Sequence, residues 1–400
     1  IAAGAGSGKT EVLTRRIVAL LRQGIRPSEL VAITYTRKAA AEMKERLAIP
    51  ERGLGAAILR DLQVSTFHAF LGEWLRRDPF GAGLDRGDAV LTEGGRKLIL
   101  AEILEEFRQA HAAELLDGPE AFGADLAHRI TGLFPGLLGA VRRYLLSPGG
   151  FQRFSDQKFG ERPTPPAPLE RLVQTWFFRF YSRYLQKLEE RHLLDFDEIL
   201  RRGAGLIASQ RESGLDPEQR VFLIDEFQDN NREQFGIIRS FIEGRDGHVT
   251  VVGDEKQSIY RFQGADIGTF RSFPATETIW LNRNYRSVQE ILTLADAFIS
   301  SSTDNPPPAQ EADRGPSLRP HPVACLLTPP QARNAEADAV ADMIRTLVGG
   351  GLRIEGRTGP RPLTYGDCAI IVNSVTRLPR AYEDALLSRG IPYVMSGGLG

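Results

Sequence analysis

The sequence has little that could staple it, anchor it or tilt its charge. Its two cysteines, Cys325 and Cys368, lie far apart and form neither a disulfide framework nor a metal-ligand spacing. They read as buried thiols of an intracellular protein. No apolar run is long enough to cross a bilayer and no signal peptide is visible, so nothing points to a membrane. Neither sign of charge dominates: 50 Lys and Arg stand against 51 Asp and Glu, a net charge of -1. Any surface for nucleic acid must then be a local concentration of charge. What remains, 42% hydrophobic and 25% charged residues over 400 positions, is enough for two or three ordinary cores. The chain opens on Ile1 rather than methionine and stops at Gly397-Gly398-Leu399-Gly400, and we read it as a fragment of a longer protein.

Periodicity divides the chain. Leu13, Ile17, Leu20 and Leu21 share one helical face that Gly24 ends. Leu30 to Ile33 is a short apolar run expected to be a buried parallel strand. A helix over 39–47 follows, then a strand end at 63–65 and a helix containing Trp74. The same alternation returns later, with a strand at 221–224, a helix at 232–243 and a strand at 249–252. This pattern predicts a doubly wound parallel sheet. Between the two blocks, 76–192 is helical in period, strongest at 95–110, 134–146 and 168–192, with a proline-rich loop at 160–168. From 281 a second α/β unit is expected, with helices at 287–300, 334–348 and 375–389 and strands at 323–327, 368–372 and 391–395. A linker spans 301–320.

Ala3-Gly4-Ala5-Gly6-Ser7-Gly8-Lys9-Thr10 is a Walker A sequence with Ala3 where the general pattern has glycine. Its glycines let backbone N–H groups turn inward around phosphate oxygens at a helix N-terminus. Lys9 supplies a cation to the β- and γ-phosphates, and Thr10 a hydroxyl to Mg²⁺. Val221-Phe222-Leu223-Ile224-Asp225-Glu226 is an apolar strand ending in two acids. Alone it also describes a solvated strand end. Paired with the phosphate loop, it reads as the other half of one site, Asp225 holding Mg²⁺ and Glu226 deprotonating the attacking water.

The residues that follow give a family. Asp225-Glu226-Phe227-Gln228-Asp229 resembles the DEFQD motif of UvrD/RecB-type superfamily 1 DNA helicases. In the same order as in that family, Ala32 to Met43 is similar to motif Ia and Ser65 to Phe70 to motif Ib. Leu194 to Asp197 resembles the re-entry segment, Gly253 to Phe262 motif III, and Leu281 to Ser287 motif IV. The resemblance spans essentially the whole chain. It implies a RecA-like P-loop NTPase domain over 1–75 and 193–280, an inserted helical domain over 76–192, and part of a second RecA-like domain over 281–400.

It also implies roles. Gln257 contacts the γ-phosphate, Arg286 acts on it from the second domain as an arginine finger, and Tyr285 stacks on adenine. Tyr35, Tyr260 and Phe262 occupy strand-contacting positions where bases stack on rings. Thr66 and His68 suit the DNA backbone, and Arg37 and Lys38 its phosphates. Gln263 stands where relatives carry arginine, and Phe262 where many carry tryptophan. With Lys256 and Ala265-Asp266, this leans toward the RecB/AddA branch. Asn230 replaces the usual threonine after DEFQD. Motifs V and VI lie beyond Gly400. The activity implied is an ATP- and Mg²⁺-dependent, 3′→5′ motor on single-stranded DNA and single-strand/duplex junctions, of the kind used in repair and recombination. Two other readings stay open: the motor part of a helicase–nuclease subunit, and a nucleotide-gated DNA-binding switch that never unwinds. No NKxD guanine-reading motif is present, which argues against a GTPase.

Overall fold

The computed structural model describes residues 1–85, 87–110, 125–143, 147–160, 173–214, 218–244, 246–258, 267–301, 308–317, 323–325, 333–356, 359–372 and 379–395. Its strands are β1 (Ala2–Ala3), β2 (Leu30–Thr34), β3 (Gln63–Thr66), β4 (Ala89–Val90), β5 (Leu193–Leu194), β6 (Val221–Ile224), β7 (His248–Val251), β8 (Trp280–Leu281), β9 (Arg283–Asn284), β10 (Glu311–Ala312), β11 (Arg353–Gly356) and β12 (Gly359–Pro362). The chain divides into two compact units, Ile1–Leu318 and Arg319–Gly400.

At the centre of the first unit, β3-β2-β6-β7 form a parallel sheet. Beyond β7 the ladder continues: Ala3 N–H donates to the Gly253 carbonyl, and β1 pairs in parallel with β8. The middle strands are almost wholly apolar, Thr34 excepted, because both of their faces are covered. Leu30 and Ala32 of β2 join a core with Leu13, Ile17 and Met43, from the helices Lys9–Arg22 and Arg37–Leu47. The alternate residues Val31 and Ile33 join a second core with Phe70, Leu206 and Phe241, from the helices Phe67–Leu75, Phe196–Glu212 and Arg232–Ile242. The two-residue period thus splits one continuous apolar run between two faces, as a doubly covered parallel sheet requires.

The described helices between β4 and β5 have a core of their own. Helices Glu93–Ala110, Asp125–Arg143, Pro148–Gly160 and Phe178–Glu190 bury Ile103, Phe134, Leu138, Phe151 and Phe180. The helix at 148–160 was not anticipated, and most of the proline-rich loop lies outside the described residues. The chain's entry and exit run side by side as β4 and β5. At the exit, the Asp195 carboxylate caps the helix Phe196–Glu212 by accepting from Glu198 N–H at 2.8 Å. The same carboxylate accepts from Tyr184 Oη at 3.0 Å and pairs with the guanidinium of Arg142, on the helix Asp125–Arg143. Arg142 and Asp195 are both buried.

By compactness, residues 281–317 fall in the first unit. The β1–β8 pairing and the Tyr285 N–H bond to the Gly6 carbonyl hold them there. In the second unit, helices Arg333–Gly349 and Pro379–Ser388 pack through Ala337, Ala341, Ala385 and Leu386. Arg389 clamps them through Asp338 and Asp342. The strands expected at 368–372 and 391–395 do not form. Ile371 and Val394 are almost fully exposed, and the strand pair that does form there is the antiparallel β11–β12. Of the strand expected at 323–327, residues 323–325 are irregular and the rest lie outside the described residues. The cysteines also differ from expectation: Cys325 is exposed and Cys368 half-buried, because each sits on irregular surface chain rather than in a core. Among the described residues, no helix is long and apolar enough to cross a membrane.

Removing one partner of a desolvated ion pair strands the other charge. Arg142→Ala is therefore expected to lower stability by about 3 kcal/mol, read as a lower urea midpoint with unchanged slope. A loss below about 1 kcal/mol would mean that the pair behaves as a surface bridge.

Candidate nucleotide site and adjoining cleft

The phosphate loop leaves β1 at the carboxyl edge of the sheet, where open α/β folds place their ligands. Gly6 and Gly8 have φ of 75° and 86°, the left-handed region that glycine enters without strain. At Gly6 there is a second reason for glycine: a Cβ would stand 2.8 Å from the Cβ of Arg286. Ser7 Oγ donates to the Gly4 carbonyl at 2.7 Å and closes the turn. The helix Lys9–Arg22 then begins with its free N–H groups at the loop.

The two halves read from the sequence meet. The Lys9 ammonium lies 2.7 Å from Glu226 Oε2, across 217 positions of chain. Thr10 Oγ1 lies 3.4 Å from Asp225 Oδ2. Lys9 and Asp225 are buried. Burial first, then the neighbouring Glu226 charge, pushes the Asp225 carboxyl up to about 6. Asp229 is raised to about 6 by the same two causes, and its Oδ1 is buried with no hydrogen-bond partner among the described residues. The Thr10 hydroxyl and the Asp225 carboxylate form an all-oxygen donor pair, which suits a hard divalent cation. Glu226 adopts φ 49° although it is not glycine, a strained conformation of the kind found where a side chain must be aimed.

Gln228, to which no role was given from the sequence, connects two segments of this site. It is buried, donates from Nε2 to Glu226 Oε2 at 2.9 Å and accepts the Asp254 N–H on Oε1 at 2.9 Å. Asp254 in turn accepts from Gln257 Nε2 at 2.6 Å. A bonded path thus runs from Glu226 to Gln257. The only sequence signal was an amide between two apolar-flanked acids, and its burial is not legible there. Tyr285 and Arg286 have exposed side chains, but their backbone lies against Gly6.

A second concavity opens over the ends of β2, β3 and β6. Thr34, Tyr35, Thr66, His68, Asp225 and Asn230 line it. It brings together three of the residues assigned to DNA and places Asp225 on its wall. Thr66 Oγ1 is committed in part to capping the next helix, accepting from Ala69 N–H at 3.4 Å. Burial lowers His68 to about 4, so its ring, packed 4.7 Å from that of Phe196, is neutral at pH 7. Arg37 and Lys38 are exposed at the start of their helix, one turn from Tyr35. Tyr260 and Phe262 lie outside the described residues.

A carboxyl whose folded value exceeds its unfolded one makes the folded state bind protons more tightly, so stability rises as pH falls. For Asp225 the window runs from about 6 down to the ordinary value of 3.8. Asp225→Asn should therefore stabilise the nucleotide-free protein above pH 6 by about 2–3 kcal/mol. The gain should vanish below about pH 4, as read by denaturant titrations across pH. A gain that does not change with pH would remove the assigned cause.

The same geometry can be set beside known proteins. The description "UvrD/REP helicase N-terminal domain" fits residues 1–277 of this chain. Over 404 residues the chain is 31% identical to the ATP-dependent DNA helicase Srs2 of Schizosaccharomyces pombe, covering 99% of this chain and 42% of that protein. It is 27% identical to the ATP-dependent DNA helicase PcrA of Leuconostoc citreum and 29% identical to UvrD1 of Mycobacterium leprae, covering 48% of each. The chain thus spans about half the length of the curated relatives it matches. The parallel sheet with its phosphate loop at the carboxyl edge is the RecA-like P-loop fold of those proteins. With a loop and an acid pair converging on that edge, and the match running through both, the chain belongs to the UvrD-like superfamily 1 helicases.

Proposed function

We propose that the protein is an ATP-driven motor that moves on single-stranded DNA and opens duplex at single-strand/duplex junctions. The observation that carries this is the meeting of Lys9 and Thr10 with Glu226 and Asp225 at the end of the phosphate loop, beside a cleft that Asp225 also lines. Three curated relatives are named ATP-dependent DNA helicases, which supports the same reading. The matched relatives are of the UvrD, PcrA and Srs2 kind. The lean toward RecB/AddA rests largely on Phe262 and Ala265-Asp266, outside the described residues.

Bound Mg·ATP supplies the phosphoryl group that passes to water. Asp225 and Thr10 would hold the cation, which would neutralise charge on the phosphates. Without nucleotide, the buried Lys9 ammonium takes Glu226 as its anion. Phosphate competes for Lys9 and leaves the Glu226 carboxylate, steadied by Gln228, to accept a proton from the attacking water. Gln257 and Arg286 act at the γ-phosphate, and Tyr285 stacks on the base. Tyr35, Thr66 and His68, with Tyr260 and Phe262, grip the strand, while Arg37 and Lys38 neutralise its phosphates without reading sequence. In this reading 1–75 with 193–280 is the first motor domain, 76–192 its insertion, and 281–400 the start of the second. Movement is 3′→5′, and the setting is DNA repair or recombination inside the cell.

Lys9→Ala and Glu226→Gln are each expected to lower DNA-stimulated phosphate release by about 10²–10³-fold. Glu226→Gln should still bind nucleotide. Wild-type turnover in both variants would end the proposal. A protein that hydrolyses ATP on DNA but fails in strand displacement would instead be a switch.

A further inference from the structure

Asn284 is uncharged and was given no role from the sequence, yet it is 1% exposed and both of its polar side-chain atoms are engaged. Its Nδ2 donates to the Ala5 carbonyl at 2.5 Å and lies 3.4 Å from Gln310 Oε1. Its Oδ1 accepts from the backbone N–H groups of Arg286 and Ser287, both at 2.8 Å. One short side chain therefore touches the phosphate loop at one end and the arginine's own backbone at the other. The main chains meet as well: Tyr285 N–H donates to the Gly6 carbonyl at 2.9 Å, and no side chain fits at position 6 against Arg286.

We propose that Asn284 is a positioning residue for Arg286. It ties the base of that arginine to Ala5, so that the guanidinium is aimed from the phosphate loop itself. The proposal rests on the ATPase reading above and deepens it. The task needs one donor and one acceptor on a one-carbon stem, which only asparagine offers among the uncharged amides. Aspartate would keep the acceptor for the two N–H groups but set a carboxylate against the Ala5 carbonyl. Serine would keep the local turn and fall short of Ala5. Both variants cut the tie while sparing the turn.

The test is a double-mutant cycle on DNA-stimulated phosphate release, with affinity for a fluorescent ADP as the second readout. Asn284→Asp should lower kcat about tenfold while ADP affinity stays within about threefold. In an Arg286→Ala background, the same change should cost less than about twofold, because the residue it positions is gone. Asn284→Ser repeats the cycle should the aspartate variant melt early. Equal losses in both backgrounds, or wild-type kcat in both Asn284 variants, overturn the proposal. Lys9→Ala serves as the control: if it retains turnover, the phosphate site itself fails, whereas additive losses alongside an inactive Lys9→Ala sink only the positioning role.

Discussion

A buried ammonium needs an anion, and the fold answers that requirement at Lys9. Its amine is almost out of water, and the cost of leaving such a charge unpaired is several kcal/mol. In the nucleotide-free protein the anion is Glu226, held at 2.7 Å. For the two to meet, β1 and β6 must lie in one sheet with only β7 between them, and both must point their carboxyl ends the same way. Parallel strands need long crossovers, so the sheet already demands much chain between its members. The rest of the architecture satisfies that geometry.

The helical insertion is tolerable for the same reason. Its entry and exit pair as β4 and β5, so the sheet meets a gap of fixed width whatever lies beyond. Its core is separate from the two cores that flank the sheet. What fastens it near the exit is the Arg142–Asp195 pair, with Tyr184 on the same carboxylate. Because Asp195 also caps the helix Phe196–Glu212, the insertion is tied to the start of a motor helix rather than to a loop.

The sequence was most readable where one physical rule acted alone. β2 and β6 were legible because strands covered on both faces must be apolar at every position, and the phosphate loop because glycine is required at Gly6 and Gly8. It was least readable where tertiary context decided. The apolar stretches at 368–372 and 391–395 had strand composition but find no partner strand among the described residues, and composition alone cannot supply one. Gln228 and Asn284 were invisible as site residues because an amide carries the same letter whether it is solvated or buried between two backbones. The attachment of 281–317 to the first unit was hidden for a related reason: two-residue strands and a single N–H bond to Gly6 leave no periodic trace.

Asp225 is the point where the nucleotide side and the adjoining cleft become one problem. Thr10 approaches its carboxylate from the phosphate loop, and the same residue walls the concavity that contains Tyr35, Thr66 and His68. Its neighbour Glu226 is fixed in a left-handed conformation and bonded through Gln228 to the segment that bears Gln257. Coupling between sites requires an element with two arrangements that both ligands bias. Glu226 is a strained residue whose cationic partner, Lys9, belongs to the phosphate loop. A phosphate that took Lys9 would leave Glu226 its bond from Gln228, whose own oxygen accepts the Asp254 N–H.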